Sequence, residues 1–146
     1  MTDTYPELAD LLVLLSRQPR PEQPAGKQLT VYGYVRSAVH DPAYGHACAD
    51  ILTCWAVRQG WRLGTVYRDL GVGSSQLIRP GFAALLDVLR LPGSGDVLVI
   101  EERHFSRTAA IAKQLQMAVR RTGSQTRVLV NELAAPVSAE DGRRPQ

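Results

Sequence analysis

Apolar positions recur along this chain with two periods that alternate from residue 29 onward. Residues 29–35 are rich in β-branched and aromatic side chains and predict a strand. Residues 43–59 carry Cys48, Ile51, Leu52 and Trp55 at i, i+3, i+4 and i+7, one face of a helix. The pattern repeats with a strand over 61–68 and a helix over 80–91, where Phe82, Leu85, Leu86 and Leu89 share a face and Pro80 suits the first turn. Residues 96–100 form the most apolar run, suited to burial on both faces. A helix over 108–122 follows, with Ile111, Leu115, Ala118 and Val119 inward, and a strand over 126–130 closes the series. Upstream, residues 4–17 predict a short helix. Thr4 and Glu7 have capping-box spacing, Pro6 suits the first turn, and Leu8, Leu11, Leu12 and Leu15 recur at helical intervals.

Four strands alternating with three helices argue for an α/β fold: three layers, a mostly parallel four-stranded sheet with helices on both faces, and the N-terminal helix as an addition. The expected organisation is an N-terminal helix and proline-rich tether over 1–28 (Pro19, Pro21 and Pro24), one αβ domain over 29–133, and a flexible tail over 134–146. A chain of 146 residues suits a single core.

Composition narrows the class further. With 45% apolar and 21% charged residues, global disorder is excluded. The longest aliphatic run, 11–15, falls far short of the roughly 20 residues of a spanning helix, so no membrane association is expected. There is no secretory leader pattern and there are only 2 cysteines, so a reducing cytoplasm is expected. The net charge of +3 permits nucleic-acid contact without requiring it. Of the 17 basic residues only Lys27 and Lys113 are lysine, and arginine's planar fork grips phosphate at two points where lysine offers one.

In open parallel sheets ligands sit beyond the carboxyl ends of the strands, so loops 36–43, 69–80 and 101–107 should share one edge. They bring Arg36, Arg79, Arg103 and Arg107 together with Ser37, His40, Asp41, Ser74, Ser75, His104 and Ser106. Guanidinium groups beside hydroxyls and helix N-termini suit a phosphate. Pairing of the arginines with Asp69, Glu101 and Glu102 would instead leave a neutral rim. Cys48 and Cys54 are six apart on a helix, about 120° around its axis, which fits neither a disulfide nor a shared metal; Cys48 reads as core. His40, His46 and His104 lack metal-ligand spacing and read as loop or surface positions, and Gly71-Val72-Gly73 is too short for a phosphate-cradling fingerprint. No metal or cofactor is expected.

Three motifs in register carry a resemblance: Tyr34-Val35-Arg36-Ser37 after the first strand, Asp69 with Gly73 and Arg79-Pro80 after the second, and Arg103-His104-Phe105-Ser106-Arg107 after the third. Over residues 29–131 the chain resembles the catalytic domain of resolvase/invertase-type serine recombinases. The resemblance implies that fold, and a chemistry in which a serine attacks a DNA phosphodiester while arginines stabilise the transferring phosphate, without metal or cofactor. Arg36, Arg79 and Arg107 fall on family positions. The family's first motif, Tyr, any, Arg, any, Ser, puts its nucleophile where this chain has Ala38; Ser37 lies one position early, which in extended backbone turns a side chain to the other face. Val72 stands where a Ser or Thr precedes the glycine. The third motif, Asp-Arg-Leu-Ser/Gly-Arg, aligns either with Arg103 and His104 or, with one extra residue, with Glu102 and Arg103. Family members continue into a long dimerising helix and a DNA-binding region, whereas this chain reaches Asn131-Glu132-Leu133 before its tail.

The expected function is therefore that of a serine-recombinase-like domain with a degenerate active site, DNA-associated or regulatory, with Arg36, Arg79, Arg103, Arg107 and His104 as phosphate contacts. One alternative is a weakly active recombinase using Ser37. Another is a protein-interaction module, forming a homo-oligomer or binding a partner protein through the greasy N-terminal helix.

Overall fold

A computed structural model describes residues 5–19 and 28–134. Thr4 of the expected capping box, most of the proline-rich tether and the tail from 135 lie outside the described residues. The chain runs α1 (Pro6–Ser16), β1 (Thr30–Ser37), α2 (Pro42–Gln59), β2 (Arg62–Leu70), α3 (Pro80–Leu89), β3 (Asp96–Val99), α4 (Ala109–Arg121), β4 (Thr126–Val128) and α5 (Leu129–Ala134). The four strands form one sheet in the order β2-β1-β3-β4, and all three pairings are parallel.

The two faces of the sheet follow from strand alternation. Val31 and Val35 of β1, with Leu98 of β3, point to a core completed by Ile51, Leu52 and Trp55 of α2. Tyr34, with Val97 and Val99, points to the opposite core, completed by Phe82, Leu85 and Leu89 of α3 and Leu115 and Val119 of α4. The chain passes from β1 outward to β2, then back across β1 to β3. Crossovers of one hand force the helix of the return journey onto the other face, which is why α2 lies on one side and α3 and α4 on the other.

Local chemistry sets the helix ends. Asp41 caps α2 by accepting the Tyr44 N–H at 3.1 Å, Pro42 occupies the first turn, and Gly60 at φ 80° ends the helix in the left-handed region. Several ends differ from the pattern-based expectation, those of β1 and β4 among them. β1 extends through Arg36 to Ser37, held in register by Arg36 opposite Asp69 and Ser37 opposite Leu70. β4 stops at Val128, and residues 129–134, read partly as strand, form α5. Val130 donates its N–H to Ile100 O at 3.1 Å, and Leu129 is fully buried against the α2 side.

The N-terminal helix lies on this same core. Leu8 and Leu15 are 0% and 1% exposed and belong to the cluster of Val31, Trp55 and Leu129, while Leu11 and Leu12 pack at its margin. The apolar stripe is thus buried within its own chain, and only Val13 and Leu14 remain exposed. Among the described residues no helix is long and apolar enough to cross a membrane.

Truncating a fully buried leucine removes transfer energy and leaves a cavity, so Leu8→Ala should lower stability by roughly 2–5 kcal/mol. Urea unfolding is expected to show one shifted, cooperative transition; an unchanged midpoint would mean that α1 contributes nothing to the core.

Candidate anion site at the strand ends

The sheet order reverses direction between β1 and β3, so the loops leaving their carboxyl ends diverge and open a crevice between them. A cavity of about 370 Å³ lies there, lined by Arg36, Ser37, Ala38, Asp41, Tyr44, Arg103 and Arg107, together with Tyr5 from the start of α1. Larger hollows of about 550 Å³ at the end of α4 and about 440 Å³ between α3 and α4 lie away from this switch point and hold none of these loops' titratable groups except Arg79 at the margin of the second.

The floor under the cavity is built first. Asp69, 3% exposed at the end of β2, accepts the Tyr34 hydroxyl at 2.8 Å and the Gly81 and Phe82 N–H groups at 2.7 and 2.8 Å. A carboxylate from a neighbouring strand thereby caps α3, whose own N-cap, Arg79, offers no side-chain acceptor. Gly81 is required by this approach, since a Cβ there would lie 2.6 Å from Arg68 O. Burial, reinforced by the bond to Asp69, pushes the Tyr34 phenol well above its ordinary range. Asp69 is therefore committed to Tyr34 and α3 and pairs with no rim arginine; of the pairs that would neutralise the rim, the described residues show Glu101 with Arg103.

Arg79 is 2% exposed and joins the second loop to the third. Its guanidinium donates to Gln76 O at 2.7 Å, to Ser74 O at 2.9 Å and to Phe105 O. Ser106 Oγ adds a bond to Ser74 O at 3.0 Å, and Ser74 Oγ accepts the Arg107 N–H at 3.0 Å. Arg79 was expected on the rim; the structure sets it beneath, where it clamps the loops that present Arg107.

Arg36 is 4% exposed and has no carboxylate partner among the described residues. It donates to Val72 O at 2.8 Å and Arg103 O at 2.6 Å, and its Nε is buried with no partner. Burial first, then the charge of Arg79 and more weakly those of Arg107 and Arg103, pull its guanidinium below its usual range against an opposing contribution from Tyr34. Arg103 pairs with Glu101 at 3.1 Å and reaches the Tyr44 hydroxyl at 3.4 Å. Arg107 is exposed and makes no ion pair among the described residues.

His104, expected at the rim as a phosphate contact, is instead fully buried. The 3₁₀ turn Glu102–His104 points its ring inward, where Nε2 lies 3.3 Å from the Tyr44 hydroxyl and Nδ1 has no partner. Burial, then the Arg103 and Arg36 charges, hold its pKa down at about 3. A neutral, covered ring offers no charge to an anion. Cys48 is buried as expected.

Ser37 ends β1 and lines the cavity beside Arg36. Its hydroxyl accepts the Val39 N–H at 3.2 Å, and its carbonyl takes the Gly71 and Val72 N–H groups at 2.8 and 2.9 Å. Tyr5 and Tyr44 are cavity residues that the sequence pattern did not single out. Tyr5 donates to Asp41 Oδ2 at 2.7 Å, and its ring meets that of Tyr44 edge-on at 5.2 Å between centroids.

Comparison with known proteins agrees with this fold. Residues 31–144 match the family described as Resolvase, N terminal domain. Among solved structures, the N-terminal catalytic domain of TP901-1 integrase is 22% identical, with TM-score 0.62 over 77% of this chain and 87% of its own. The C-terminal catalytic domain of ISC1926 TnpA, an IS607-like serine recombinase, is 18% identical, with TM-score 0.61 over 77% and 74%. A resolvase family site-specific recombinase from Streptococcus pneumoniae is 20% identical, with TM-score 0.57 over 80% and 89%. At these identities the likeness is one of fold. Comparison with curated proteins gave no match.

The buried His104 makes stability depend on pH. Its folded pKa of about 3 lies below the ordinary 6.5, so between those values the unfolded chain binds the extra proton and stability falls as pH falls. The expected slope reaches about 1.4 kcal/mol per pH unit within that window. Urea titrations from pH 7 to 4 should show it in the wild type and show it reduced in His104→Gln.

Proposed function

Because this chain belongs to the resolvase N-terminal domain family, we propose that its switch-point cavity is a DNA phosphodiester site whose serine chemistry has been lost. The observation that carries this reading is Arg36. A guanidinium 4% exposed, with a buried unpartnered Nε, surrounded by Arg79, Arg103 and Arg107 and bonded only to carbonyls, leaves positive charge that no carboxylate among the described residues cancels. A phosphate entering the cavity supplies that anion and meets the forks of Arg103 and Arg107 at the mouth. Arg79 acts through the loops it clamps. His104, with Tyr44, shapes the floor.

The loss of serine chemistry rests on Ala38. The resemblance puts the attacking hydroxyl at this position, where there is a methyl group. Ser37 faces the same cavity, but its oxygen accepts the Val39 N–H and no histidine or carboxylate takes its proton among the described residues. The function that fits is DNA association or regulation by a recombinase-type domain. Assembly through α1 would have to use Val13 and Leu14, the apolar residues that helix leaves exposed.

Each neutralised phosphate contributes about −0.9 to the slope of log K against log salt. On generic duplex DNA, Arg107→Ala should flatten the slope by roughly one unit and Arg36→Ala/Arg107→Ala by roughly two. The exposed Arg107 provides a variant with little cost to folding. Slopes equal to wild type in both would sink the phosphate reading.

A further inference from the structure

The family match begins at Val31, yet one wall of the cavity is Tyr5, from a helix upstream of that boundary. The placement is built. Leu8 and Leu15 anchor α1 in the core, the Tyr5 ring rests edge-on against Tyr44 at 5.2 Å, and its hydroxyl donates to Asp41 Oδ2 at 2.7 Å. Asp41 is itself held, because its other oxygen accepts the Tyr44 N–H at 3.1 Å as the α2 cap. A hydroxyl within hydrogen-bond reach of a base that a third group orients is the arrangement of an activated nucleophile. Here it faces a cavity that also holds Arg36, Arg103 and Arg107.

Resting on the phosphate reading above, we infer that Tyr5 is a nucleophile that accepts a nucleotidyl phosphate, with Asp41 as its base. In the step, an Oη lone pair of Tyr5 forms a bond to the diester phosphorus and the phenolic proton passes to Asp41 Oδ2. The bond from phosphorus to the leaving alcohol oxygen breaks, the electron pair departs with that oxygen, and the oxygen takes up a proton from Asp41 or water. One phosphodiester is exchanged for another, with no oxidant or reductant. An aspartate receiving a hydroxyl proton during phosphoryl transfer is an established role. The bond to Asp41 pushes the Tyr5 phenol up to about 12, so the proton must leave during attack. The same bond, helped by the Tyr44 N–H, holds Asp41 below its usual range and therefore ionised.

The experiment incubates the full chain with thymidine 5′-(p-nitrophenyl phosphate), whose leaving group needs no proton and is read by absorbance. Wild type should release nitrophenolate with matching formation of a thymidylate adduct, which peptide mapping places on Tyr5. Tyr5→Phe should form none, and Asp41→Asn should form it at least tenfold more slowly with its fold checked by circular dichroism. If wild type shows the arginine-dependent salt slope on duplex DNA but forms no adduct, this inference fails and the phosphate reading stands. An adduct on Ser37 overturns both this inference and the loss of serine chemistry. No DNA binding and no adduct overturns the phosphate reading together with everything built on it.

Discussion

Burying two guanidinium groups against carbonyls, with no carboxylate between them, is the constraint on which the rest of this site depends. A buried cation must find acceptors, and Arg36 and Arg79 find theirs in the backbones of the loops around them: Val72 and Arg103 for the first, Ser74, Gln76 and Phe105 for the second. Each arginine is therefore a pin through two loops. The loops cannot move apart without stranding a charge, and the charge stays uncancelled because carbonyls contribute dipoles and no formal negative charge. Rigidity and an uncancelled positive charge have one origin here.

The acidic residues near the rim show how selectively that charge is kept. Asp69 is close enough to lie opposite Arg36 in the sheet register, yet its oxygens are taken by the Tyr34 hydroxyl and the start of α3. Asp41 is taken by Tyr5 and by the start of α2. Among the described residues only Glu101 of this group reaches an arginine, Arg103, and the exposed Arg107 at the mouth makes no ion pair. Helix N-termini thus act as competitors that draw carboxylates away from the guanidinium cluster.

Much of the fold was legible because its elements are strongly periodic. The alternation of period-two and helical runs located four strands and the three crossover helices; of the loops it predicted at one edge, 36–43 and 101–107 line the cavity, and 69–80 braces them through Arg79. What the pattern missed lies where periodicity carries no information. β1 was cut short because polarity begins at Arg36, although the ladder with β2 continues to Ser37. Residues 129–130 look as β-prone as any strand, but Leu129 turns into the α2-side core and starts a helix. His104 sits in a short polar run that suggests exposure, and a single 3₁₀ turn rotates it inward. Tyr5 could not have been found from its neighbours, since its position depends on where α1 docks, a long-range packing of leucines that local sequence does not specify.

That docking bears on where this domain can be divided. The recognisable family region begins at Val31, but the leucines that complete one core and the phenol that walls the cavity come from upstream. Upstream and downstream segments therefore share one hydrophobic interior. A natural exchange of modules that cut at the family boundary would separate a core from part of its own packing. The packing unit of this chain therefore takes in α1 as well as the region the family describes.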